Sequence, residues 1–143
     1  MNGRLQDKVA IVIGAGSVGP GWGNGRAMAF RFAQEGARVW AVDRDMGHLE
    51  ETLARVRDIG GTIEAHVCDA TDNAAVAALV QACRAKWNRV DVLVNNVGGS
   101  AAGGPVEMSE EVFDAQVAHN LKSAFLGCKH ALPVMVAQIC PTW

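Results

Sequence analysis

The sequence has 143 residues, enough for one ordinary domain of roughly 100–200 residues, and a single domain over 1–143 is predicted. Half of the residues are apolar, 20% are charged and the formal net charge is -2, which excludes a disordered, collagenous or strongly basic chain and removes nucleic acid as the default partner. Tyrosine is absent, so no mechanism that needs a phenol as acid or base is open to these residues.

The first apolar run, residues 8–13 (KVAIVI), meets glycine at once and is too short for a signal segment or a membrane span. No membrane partner and a cytoplasmic location are therefore expected. Residues 38–43, 62–68 and 90–95 are similar runs, and the four read as strands buried on both faces. Between them lie stretches of helical period, with Leu49, Leu53 and Val56 in one and Val76, Leu79, Val80, Cys83 and Trp87 in another. Strict alternation predicts a parallel sheet covered by helices, because each crossover is right-handed and must pack on a sheet face. Asp72 and Ser109 are candidate N-caps and Gly36 a candidate helix stop.

A small-residue loop over 98–105 follows the fourth strand, and then a long helical stretch over about 109–138 in which Phe113, Val117, Leu121, Ala124 and Cys128 share a face. Pro133 is expected to kink or divide that stretch. The cysteines, Cys68, Cys83, Cys128 and Cys140, form no CxxC pair and read as reduced and mostly core. His48, His66, His119 and His130 lack the spacing of a zinc site, so no metal is expected and none of the four is assigned a role. Glu107, Glu110 and Glu111 fit a solvated helix start. Ser100 has no base to activate it and is set aside.

The chemistry lies in the turn after the first strand: Gly14, Gly16, Ser17, Gly23, Asn24 and Gly25 precede a helix with small residues at Ala27, Ala29 and Ala33. Strand, glycines, helix is the order that brings backbone N–H groups and a positive helix end to a diphosphate; glycines alone could also make a merely flexible loop. Asp43 ends the second strand, where a carboxylate accepts from ribose hydroxyls and repels a 2′-phosphate, or else caps the next helix. Arg44 beside it could pair with the 2′-phosphate of NADP. NAD is favoured over NADP.

With these residues the chain resembles the short-chain dehydrogenase/reductase family, NAD(P)-dependent oxidoreductases of Rossmann-like α/β fold, over about residues 8–138. The resemblance rests on Gly23-Asn24-Gly25-Arg26-Ala27, Cys68-Asp69-Ala70, Asn95-Asn96-Val97-Gly98 and Asn120. It implies a doubly wound parallel sheet in the order 3-2-1-4, with the cofactor crevice between strands one and four. It implies that Asp69 and Ala70 meet the adenine and that Asn96, Val97 and Gly98 line the cofactor, although Asp69 could instead be a helix-start carboxylate. Asn120 corresponds to the family's catalytic asparagine, or is a polar residue satisfied within its helix.

Three departures stand out. Five extra residues follow Gly14 when Gly23 and Gly25 are aligned with the family's last two glycines, Val97 replaces the usual alanine, and the fifth strand, the catalytic serine and the tyrosine and lysine separated by three residues are missing. Residues 139–143 do not resemble the approach to a fifth strand and read as a premature stop or a frame change, or as the authentic ending of a short protein. The expected function is thus the NAD(P)-binding portion of an oxidoreductase that acts, in a full-length form, on an alcohol or ketone. The alternative is a non-catalytic nucleotide-sensing or interaction module. Self-association or a homo-oligomer is expected, because the missing fifth strand would leave strand four open.

Overall fold

The computed structural model describes residues 3–139. Strands β1 (Val9–Ile13), β2 (Arg38–Asp43), β3 (Thr62–Val67) and β4 (Val92–Asn95) form one parallel sheet in the order β3-β2-β1-β4. The register places Ile11 beside Trp40 and Leu93, so β1 is the central strand and the turn after it opens at the point where strand order reverses. The expected order is borne out. Burial on both faces holds for β1 and β2, whereas β3 and β4 are only partly buried along their length.

Period-two alternation divides the core. Val9, Ile11, Ile13, Trp40 and Val42 point to one face of the sheet, against α3 (Asn73–Trp87) and α5 (Ser123–Ile139). Val12, Val39 and Ala41 point to the other, against α1 (Asn24–Gln34) and α2 (Met46–Asp58). The helical spacings match: Val76, Leu79, Val80 and Cys83 are the buried stripe of α3, and Leu49, Leu53 and Val56 that of α2. Each such side chain contributes roughly 1.5–3 kcal/mol by leaving water. Of the three alanines predicted to allow close packing in α1, Ala29 and Ala33 are buried and Ala27 is exposed.

Asp72 accepts from the Ala75 N–H at 2.8 Å and Ser109 from the Val112 N–H, as predicted for N-caps, and Gly36 follows α1 with φ +89°. Pro133 does not divide the last helix: it lies exposed within α5. The break comes earlier, where α4 (Glu110–Val117) passes into a π-helical turn, Ala118–Lys122. There the Asn120 amide donates to the Gln116 carbonyl at 2.9 Å, taking the acceptor that an α-helix would offer to the Asn120 backbone, and the turn widens. Phe113, Val117 and Leu121, on the face picked out by periodicity, are exposed.

Cys68 and Cys83 are buried and Cys128 is half-buried; Cys140 lies outside the described residues. Burial pushes the Cys68 thiol up to about 11, helped by Asp69 and Asp72, and the Cys83 thiol up to about 12. Since the thiolate is the reactive form, both are expected to resist alkylation of the native chain at neutral pH and to react fully after denaturation. Rapid native labelling of Cys83, read by peptide mapping, would contradict the packing of α3.

A candidate nucleotide site at the carboxyl edge of the sheet

The turn that leaves β1 is held against the end of β2. The Gly14 and Ala15 N–H groups donate to the Val42 carbonyl at 2.8 and 2.9 Å, Gly16 N–H to Asp43 Oδ2 at 3.2 Å, and Ser17 N–H to the His48 carbonyl at 3.1 Å. Glycine is required by geometry at several positions, Gly16 among them, where a Cβ would stand 2.7 Å from the His48 carbonyl oxygen. Gly14 has φ +87°, and a Cβ at Gly25 would stand 1.7 Å from the Gly14 carbonyl oxygen. That close approach brings the start of α1 onto the end of β1.

The Asn96 amide completes the junction by donating to the same Gly14 carbonyl at 3.0 Å. The ends of β1, β2 and β4 and the start of α1 thereby surround one cleft of about 810 Å³, large enough for a dinucleotide. It is lined by every residue predicted to contact the cofactor: Gly14, Gly16, Ser17, Gly23, Asn24, Gly25, Asp43, Arg44, Asp69, Ala70, Asn96, Val97 and Gly98.

The donor set fits a diphosphate. Helices α2, α3 and α4 each carry a side-chain cap, from Asp45, Asp72 and Ser109, but α1 begins at Gly23 with none. Among the described residues, no hydrogen bond is made by the backbone N–H groups of Asn24, Gly25 and Arg26, at the positive end of a helix beside the cleft. A helix end left open in this way suits an anion.

Asp43 is not the cap of α2, a role that Asp45 takes by accepting from the Gly47 N–H at 2.8 Å. Its Oδ1 accepts from the Asp45 N–H at 3.3 Å and lies 3.0 Å from His48 Nδ1, while Oδ2 holds Gly16. The carboxylate is thus fixed in direction where it borders the cleft. Asp69 accepts from the Thr71 N–H and hydroxyl at 2.8 and 2.7 Å, and these bonds hold its carboxyl below the usual range against a small opposing effect of burial.

Asn120 lies behind the wall and outside the lining. Its amide clamps Gly99, accepting from the N–H at 2.9 Å and donating to the carbonyl at 3.0 Å. His48 and His119, left without a role by spacing alone, both border the cleft, as do Thr71, Ala115, Gln116 and Ala118. Their positions depend on which elements the fold brings together; for His119 alone there is a local signal, its place directly before Asn120.

A model of the short chain dehydrogenase family matches residues 8–140. The chain belongs to the short-chain dehydrogenase/reductase family. A protein described as a short-chain dehydrogenase/reductase from Burkholderia xenovorans is 55% identical, with a TM-score of 0.94 over 95% of this chain and 54% of its own. A metagenomic short-chain oxidoreductase in complex with NADP matches at 36% identity and a TM-score of 0.85, over 94% of this chain and 59% of its own. An NAD+-bound xylitol dehydrogenase matches at 32% identity and a TM-score of 0.86, over 94% and 50% respectively. The chain likewise spans about half the length of the curated relatives it matches, 48% and 53% for two of them. Both an NADP complex and an NAD+ complex are therefore among the structures similar to it. No described helix is long and apolar enough to cross a membrane.

Proposed function

We propose that residues 1–143 form a single NAD-binding domain, the cofactor half of an oxidoreductase that acts in a longer form on an alcohol or ketone, in the cytoplasm. The observation that carries this reading is the open start of α1, with its unpaired N–H groups, beside a cleft bordered by Asp43 and Asp69. The N–H groups of Asn24 and Gly25 hold the diphosphate. Asp43 accepts a ribose hydroxyl, Asp69 and the Ala70 backbone meet the adenine, and Asn96, Val97 and Gly98 border the nicotinamide end. A bound nicotinamide supplies the hydride acceptor or donor. Asn120 steadies the loop after β4 through Gly99, and the catalytic role implied by the resemblance falls to it where a longer polypeptide supplies the partner lysine. Adding NAD to isotopically labelled protein is expected to shift the amide signals of Asn24, Gly25 and Asp69, and shifts confined to distant surfaces would refute the site.

NAD is preferred because the Asp43 carboxylate repels a 2′-phosphate. Asp43→Ala is expected to narrow the NAD-over-NADP preference at least about tenfold, since a hydrogen bond to a charged group contributes about 1.5–3 kcal/mol. An unaltered ratio of dissociation constants would shift that role to Arg44.

The same half-length chain is proposed to self-associate. Among the described residues β4 pairs only with β1, and Phe113, Leu121 and Phe125 are each more than half exposed on the helical side. Light scattering should show a mass above the monomer that rises with concentration. A monomer throughout would contradict the open edge.

A further inference from the structure

The five extra residues of the glycine turn are fastened to the body of the domain by side chains that the family resemblance does not assign. Arg26, in the first turn of α1, is buried, with 2% of its side chain exposed. Its Nε donates to Thr52 Oγ1 at 3.2 Å, and one terminal nitrogen donates both to the Gly21 carbonyl and to Glu51 Oε2. The Thr52 hydroxyl donates in turn to the Ala15 carbonyl at 2.9 Å. Both ends of the turn, Ala15 and Gly21, are thereby tied to one face of α2.

The outer part is pinned as well. The Trp22 ring packs edge-on against Phe30 of α1 with centroids 5.2 Å apart, and the Arg55 guanidinium lies 4.4 Å above it. Arg55 also donates to Glu51 Oε1 through two nitrogens, at 2.9 and 2.6 Å. These bonds, with the Arg26 guanidinium alongside, hold the Glu51 carboxyl below its usual range. Phe30, Trp22, Arg55, Glu51 and Arg26 form one continuous chain of contacts.

The first half of the turn cannot serve an anion, because the N–H groups of Gly14 to Ser17 already donate within the protein. The free donors follow it, and among the described residues no hydrogen bond is made by any backbone N–H from Val18 to Arg26. We propose that Trp22, Arg55, Glu51 and Arg26 are positioning residues that hold these free donors in place for the diphosphate of the nucleotide. Of the insert, Val18 borders the cleft, between Ser17 before it and Gly23 to Gly25 after it. Ordering is completed on folding and need not accompany binding, which is the physical basis of a gain in affinity from preorganisation.

This inference rests on the nucleotide reading above, and the test separates the two. Dissociation constants for NAD, ADP and adenosine are measured on the unmodified chain, on Trp22→Ala and on Arg55→Gln. Trp22 is exposed and Arg55 half-buried, and circular dichroism establishes that each variant is folded; should one fail to fold, the other gives the reading. The expected result is binding of NAD and ADP weakened about tenfold in both variants, with adenosine, which has no phosphate, unchanged. Unchanged NAD affinity, or equal weakening of adenosine, would overturn the positioning role while leaving the nucleotide site intact. Failure of the unmodified chain to bind any of the three would overturn the site reading and the clamp with it.

Discussion

Gly25→Ala is expected to lower NAD affinity at least about a hundredfold and to destabilise the fold. A Cβ at this position would stand 1.7 Å from the Gly14 carbonyl oxygen and 2.8 Å from Asn96 Nδ2. Neither neighbour is the free end of a long side chain, so α1 must move away from β1. Forcing extra volume into a packed junction costs about 1–3 kcal/mol of stability. The same displacement carries the Asn24 and Gly25 N–H groups out of reach, and two lost hydrogen bonds to a charged ligand, each about 1.5–3 kcal/mol, amount to a hundredfold or more. Gly19→Ala is the matched control, because its Cβ would meet nothing within 4 Å and its φ lies outside the left-handed region. Equal NAD affinity in Gly25→Ala and the unmodified chain would mean that the start of α1 is not the diphosphate site.

The second large effect is on chemistry. A polypeptide of these 143 residues is expected to show no alcohol oxidation or ketone reduction above background, even where nucleotide binds. Hydride transfer to a carbonyl leaves an alkoxide that needs a proton donor, and a positioned acid is worth roughly 10²–10⁴-fold in rate. The family resemblance assigns that work to a tyrosine with a lysine, and this chain contains no tyrosine. His119 borders the cleft but packs near Gly99, and Asp69 is held as a carboxylate by Thr71. Following nicotinamide absorbance with a panel of secondary alcohols and ketones, with contaminating enzymes excluded, tests this. Robust turnover would show that another group in the cleft donates the proton.

The parts of this molecule that were legible in its sequence are those set by local rules. Runs such as Val9–Ile13 have no polar interruption because both faces of a central parallel strand are covered, and the glycines behind it mark a turn that lets α1 approach closely. Asp43 could be placed because it ends a strand and strand ends in a parallel sheet share one edge, whereas Asp69 and Asn96 were placed by the family resemblance. Pro133 misled because, lacking an N–H, it withholds one donor from the Lys129 carbonyl on an exposed part of α5, whereas Asn120 redirects the helix from within by taking the Gln116 carbonyl. The clamp was not legible: Arg26 stands in the glycine segment with no partner assigned to it, and Glu51 and Arg55 look like ordinary helix-surface charges until the fold lays α2 against α1. Likewise His48 borders Asp43 only because α2 starts directly behind the end of β2.

Isothermal titration of the purified chain with NAD and with NADP tests the central claim most directly, since it needs no turnover. One saturable site per chain, with NAD bound more tightly than NADP, is the predicted result. Absence of saturable binding by either nucleotide from a folded sample would contradict the assignment of the cleft.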